Sequence, residues 1–330
     1  MTARRVAHVA LLLALALVAA CTSGAEVPRP DRARPAADCW PVSFDDVRGR
    51  APAYVDEQRL GRFRNDRAMC GGVWVGTRRG LVPQGLVVDG RTAWVSGYDG
   101  EARPGHKYCL LVRVDLRTGR ATHRDPVSGQ VGNRDPVTCR HAGGLAADDH
   151  GLWLVETGRV WLLDPGTLDV RRGWALAPPL RGSFAVTDDD GHLGIGSWHP
   201  RRRGSVHWFS TDLLVAGSVL DLTTGLAARS ERAPSMTQGA VHADLDGRAA
   251  RTWFARSVTR CGVLVDPAGH RLAFVPGAEG MALAEDGALW VASESGSRHY
   301  QRLGGRPLVP TLVRLDLDDL DDWRRPGCRP

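Results

Sequence analysis

Lysine is almost missing from this chain: Lys107 stands alone among 43 basic residues, and every other one is arginine. The arginines are scattered, as the codon bias of a GC-rich genome would leave them, and only Arg201-Arg202-Arg203 forms a run. That run reads as a solvated loop tip. Aromatic residues make up 6% of the chain and do not alternate with basic ones as a base-stacking surface requires, so nucleic acid is not an expected partner. Asparagine occurs only as Asn65 and Asn133. No two cysteines have C-x-x-C spacing, which removes the usual zinc and redox motifs. There is no G-x-S-x-G elbow, H-E-x-x-H helix or phosphate loop either. Helical periodicity is nearly absent, with residues 55–64 as the main helix candidate.

The first residues supply the one long apolar run. Arg4 and Arg5 precede Val9–Ala19, and Val18-Ala19-Ala20 leads into Cys21. The run is short for a membrane span and is followed by polar Thr22 and Ser23 rather than by basic residues. It resembles the bacterial lipobox, with small residues before the cut and a cysteine after it. Residues 1–20 then read as a lipoprotein signal peptide and Cys21 as the lipid-bearing first residue of the mature chain. An ordinary secretory signal or a membrane helix are the alternatives. Residues 21–38, with Pro28, Pro30 and Pro35, read as a flexible lipid-anchored tether, and 39–330 as the folded domain. The expected address is extracytoplasmic, on the outer face of the cell membrane. Loss of residues 1–20 removes two arginines and no acid, so the formal charge of +6 falls by two.

Seven cysteines leave one over, and assigning Cys21 to lipid leaves an even six. Outside the cytoplasm these favour three disulfides, with fifteen connectivities. Cys109 with Cys139 is the expected pair. Cys39 with Cys328 and Cys70 with Cys261 would complete the set.

The domain repeats itself. Residues 85–98 (GLVVDGRTAWVSGY), 144–157 (GLAADDHGLWLVET), 184–197 (FAVTDDDGHLGIGS), 239–257 (GAVHADLDGRAARTWFARS) and 280–295 (GMALAEDGALWVASES) each place a tight turn between two apolar runs. Trp94, Trp153, Trp253 and Trp290 share one position in the second run, where the third copy has Gly194-Ile195. Asp-Gly between apolar runs is a hairpin signal, because the turn demands positive φ. A third run ending in aspartate follows in most copies, as in 112–119 (VRVDLRTG), and a fourth in several, as in 271–275 (RLAFV). Repeated units of three or four short strands predict an all-β single β-propeller. A lone meander cannot bury both faces, whereas a ring of them packs each sheet on the next. The tryptophans read as core between blades. Five blades are expected, with six as the alternative if residues 39–80 form one more. In the five-blade reading, Gly72–Thr77 supplies the missing outer strand of the last blade and closes the ring.

In such a ring the first strands line a central channel. The positions opening them or ending the second strands predict a polar ligand funnel of Gln84, Tyr98, His141, Ser183, Trp198, Gln238, Arg256, Glu279 and Glu294. Glu279, Glu294 and His141 are the candidate catalytic groups. The long loops 97–108 and 297–310 are the ones that would close its mouth.

The alternation of apolar run, D-G, L-W-V and D-x-x-T-G resembles a superfamily of bacterial propellers that includes gluconolactonase-like, paraoxonase-like, NHL-type and streptogramin-lyase-like proteins. Residues 279–320 also look like the closing blade of secreted actinobacterial propellers. Glu279-Gly280 resembles the inner-strand Glu-Gly that supplies a calcium ligand in lactonase-like members, but no asparagine opens an inner strand here. No metal site or cofactor is therefore expected, with a divalent cation in the channel left open. Two functions follow: a monomeric, membrane-anchored module that binds a small molecule, glycan or protein in a polar funnel, or a lactonase- or lyase-like hydrolase using the channel carboxylates.

Overall fold

Alternating apolar and polar residues over four to nine positions, each run stopped by a turn, leave the chain little choice but short antiparallel strands. The computed structural model describes residues 42–330 apart from 56–57, 77–79, 104–105, 125 and 305. The signal, Cys21, the tether and Cys39 lie outside the described residues. Gly90, Gly191, Gly247 and Gly287 follow aspartates at four of the first-to-second-strand turns, with φ between +51° and +79°, as tight hairpins require. The third-strand turns are held by aspartate side chains. Asp115 Oδ1 accepts the N–H groups of Arg117 and Thr118, and Asp164 Oδ1 those of Gly166 and Thr167.

Five sheets result. Blade one runs Leu81–Asp89, Thr92–Asp99, Cys109–Asp115 and Ala121–Arg124, and blade two Gly144–Asp148, Gly151–Glu156, Arg159–Leu163 and Val170–Leu176. Blade three comprises Phe184–Thr187, His192–Gly196, Gly204–Ser210 and Arg229–Ala233; blade four, Thr237–Ala243, Arg251–Val258, Cys261–Val265 and Arg271–Phe274. Blade five has Ala278–Leu283, Leu289–Ser293 and Leu312–Leu315, and its fourth strand is Met69–Trp74, antiparallel to Leu312–Leu315. The chain's early segment thus closes the ring, as the repeat pattern predicts. First strands contact one another in the order one, two, three, four, five and back to one. The protein is a five-bladed β-propeller.

The repeated tryptophans do the packing expected of them. Trp94 packs with Leu145, Leu152 and Trp161 of blade two, Trp153 against blade three, Trp253 against blade five and Trp290 against blade one. In blade three Gly194 stands in that place. Opposite it on the third strand is Trp208, whose ring occupies the space a side chain at 194 would need and fills the interface with blade four. The missing tryptophan is supplied by the next strand.

Two expectations, the helix and two of the disulfides, are corrected, and the six-blade alternative falls. Residues 55–64 form no helix among the described residues; Leu60 and Phe63 pack flat against the blade-five side, with Gly61 N–H donating to Leu308. Residues 42–80 give the closing strand and a two-residue strand, Arg48–Gly49, rather than a sixth blade. The disulfides are Cys109–Cys139 and Cys261–Cys328, so Cys39 with Cys328 and Cys70 with Cys261 are wrong, although Cys70 is also disulfide-bonded. The reason lies in the C-terminal tail, which runs along blade four, where Ala273 N–H donates to Arg324, and so brings Cys328 to the third strand of that blade. Asn65 stitches the same tail down through Ala273 and Arg324.

Candidate functional site

Three first strands carry a β-bulge near their start, at Pro83/Gly85, Thr237/Gly239 and Ala278/Met281. The residues at the bulges are Gln84, Gln238 and Glu279. An extra residue in one strand leaves its side chain re-aimed, a device found repeatedly beside functional sites. The glycines that follow let neighbouring first strands close up around the channel. A Cβ on Gly239 would stand 2.1 Å from the Glu279 carbonyl oxygen, and one on Gly280 2.4 Å from the Leu86 nitrogen.

Glu279 is only 1% exposed, and its Oε1 has no hydrogen-bond partner. Burial pushes its carboxyl well above the usual carboxylate range, the neighbouring Glu294 pushes it further, and a hydrogen bond from Gln238 works the other way. Glu294, just past the second strand of blade five, is 4% exposed. Burial pushes it up to about 7, partly opposed by a hydrogen bond from the Tyr300 hydroxyl. Tyr300 sits on the short helix Arg298–Arg302, and burial and Glu294 raise its pKa. Tyr300 is also hydrogen-bonded to Tyr98. Tyr98 is itself raised to about 12 by burial. Its ring stacks on His141 at 4.8 Å and carries the Lys107 ammonium 4.7 Å above its centre. His141 is exposed to solvent, yet crowding by protein, then Lys107, lowers its pKa.

The structure therefore joins five of the predicted funnel residues, Gln238, Glu279, Glu294, Tyr98 and His141, into one continuous array. It adds Tyr300 and Lys107, which the repeat pattern does not mark. Gln84 stands at the equivalent bulge, but its amide donates to the Pro83 carbonyl. Ser183 accepts the backbone N–H of Trp198, whose ring is exposed. Arg256 is not in the array; it donates to Ser235 and faces Arg271.

The two long loops meet over the Glu279–Glu294 corner. Glu101 pairs with Arg298 at 3.1 Å and with Arg302 at 2.7 Å. They cover this corner, while His141 and Trp198 stay open to solvent. Among the described residues, the carboxylates of this array are Glu279 and Glu294, and calcium takes six to eight oxygens.

No family model and no curated protein matches the chain. Solved structures similar to it are distant in sequence. They include a calcium-binding protein, regucalcin, from Agrobacterium tumefaciens, 14% identical with a TM-score of 0.43, covering 82% of this chain and 96% of that one. Virginiamycin B lyase from Staphylococcus aureus is 12% identical with a TM-score of 0.35, covering 67% and 80%. An aldose sugar dehydrogenase from Streptomyces coelicolor is 15% identical with a TM-score of 0.36, covering 75% and 96%.

Proposed function

We propose that this protein is an extracytoplasmic binding propeller, held to the membrane by a lipid on Cys21, whose funnel takes an amine-bearing small molecule. The observation that carries the reading is the buried Glu279–Glu294 pair with an unpartnered Glu279 oxygen. Two adjacent buried carboxyls cannot both ionise cheaply, so the pair retains a proton at neutral pH. An ammonium entering beside them would replace that proton, satisfy Oε1 and restore the charge balance. Lys107 on the Tyr98 face shows that the ring already accommodates an ammonium. The Lys107–His141 end offers the opposite polarity for a carbonyl or carboxylate on the same ligand.

The test is thermal stabilisation of the purified chain by a panel of primary amines, amino acids, uncharged sugars and lactones. Amines should stabilise the protein, and Glu279→Gln should abolish the effect. Stabilisation by sugars alone would contradict the reading. The lipid is tested in cells, where labelled palmitate should enter the wild-type chain and not the Cys21→Ala chain.

A second reading rests on one further observation: Glu294 titrates near 7 and is linked to two tyrosines, a setting suited to general acid–base chemistry. Hydrolysis of a lactone in that panel, lost in Glu294→Gln, would favour a hydrolase.

A further inference from the structure

Several strand-flanking arginines of this chain have a carboxylate. Arg134 pairs with Asp221, Arg171 with Asp164, Arg229 with Asp188, Arg251 with Asp246 and Arg314 with Asp286. Four others behave differently and lie around one groove. Arg203, Arg232, Arg256 and Arg271 line a cavity of about 410 Å³ at the interface of blades three and four. None of the four has an acidic partner among the described residues.

The two acids that border the groove are already engaged. Glu231 accepts from the Trp208 indole and the Thr252 hydroxyl, and Asp266 from His270. Arg256 is half-buried. Its Nε donates to the Ser235 carbonyl and its Nη2 to the Ser235 hydroxyl, which fixes the guanidinium and leaves Nη1 without an acceptor among the described residues. Burial and the charge of Arg271 both lower its pKa. A second cavity of about 750 Å³ shares Arg256 and Arg271 and continues past Arg325 and Arg329 of the tail.

We propose that this groove is an anion site that takes a phosphoryl group, gripped by Arg256 and Arg271 with Arg203 and Arg232 at its rim. A fixed, planar guanidinium beside a second one matches the paired oxygens of a phosphate, and phosphate recognition is where arginine outperforms lysine. The phosphoryl group can come from a free phosphate ester or from an anionic lipid headgroup. The site lies apart from the Glu279 array and does not depend on it.

The test uses the full chain carrying Cys21→Ala, so that no lipid of its own holds it to a bilayer. Inorganic phosphate is titrated calorimetrically at 150 mM sodium chloride, where weak surface attraction is screened. Sedimentation with phosphatidylcholine vesicles, with and without phosphatidylglycerol, is the second arm. Arg256→Gln with Arg271→Gln should weaken binding at least tenfold in whichever arm is positive. Arg117→Gln with Arg120→Gln, two exposed arginines elsewhere, should leave it unchanged. Should the first pair fold poorly, Arg271→Glu alone changes only an exposed side chain and should reduce binding as well. Phosphate binding without vesicle binding identifies a free ester, and vesicle binding without phosphate binding a headgroup. Failure of both arms, or equal weakening by the control pair, overturns the proposal.

Discussion

Glu294 gives up most of its hydration to sit beside Glu279, and one hydrogen bond from Tyr300 does not make up the difference. Its folded-state pKa of about 7 lies above the ordinary 4.5, so between those values the native chain holds a proton that the unfolded chain has released. Stability from this group therefore falls as pH rises from about 4.5 to 7 and is level outside that window. Glu294→Gln keeps an acceptor for Tyr300 and removes the titration. At pH 8 the variant should be more stable than wild type by roughly 1–3 kcal/mol, and at pH 4.5 the gap should close. Thermal melts of both proteins across this range read the difference. The opposing contribution of His141, whose lowered pKa favours high pH, is common to both and cancels. An unchanged gap between pH 4.5 and 8 would mean that Glu294 is ionised throughout. Glu279 and Gln238 were legible as site residues because they share a repeat position before glycine. Tyr300 was not, since it lies in a long second-to-third-strand loop whose sequence does not follow the repeat. Lys107 left a signal only as the single lysine in an arginine-rich chain.

Of the longer elements, the segment 294–311 decides access to the buried pair. It carries the helix Arg298–Arg302, and Glu101 on the facing loop latches it through two arginines. Partly exposed ion pairs of this kind contribute about 0.2–1 kcal/mol each. Glu101→Ala should therefore loosen the segment without unfolding the ring. Hydrogen exchange of residues 298–304 should quicken several-fold while blade-four strands keep their protection. Equal protection in the variant would show that the latch holds nothing. The strands themselves were readable from period-two alternation and Asp-Gly turns, and the closing strand from its position ahead of the first repeat. The bulges were not readable, because they arise from pairing between strands and leave no local pattern. Nor was the Trp208 substitution for a missing tryptophan, which depends on what stands opposite Gly194.

At the scale of the whole molecule, five blades close on an N-terminal strand, and disulfides tie blade one to the start of blade two and blade four to the C-terminal tail. Such a ring holds its first strands rigidly. It can therefore keep two carboxyls side by side that would separate in a flexible chain. The most direct test of amine recognition is proton release on binding. Calorimetry of the tightest-binding amine of the panel, at pH 7 in PIPES and in HEPES, which carry no primary amine and differ in heat of ionisation, separates the heat of the buffer from that of binding. Net release of a proton in wild type is predicted, with release lost and affinity down at least tenfold in Glu279→Gln. Binding without proton release, equally tight in Glu279→Gln, would contradict it.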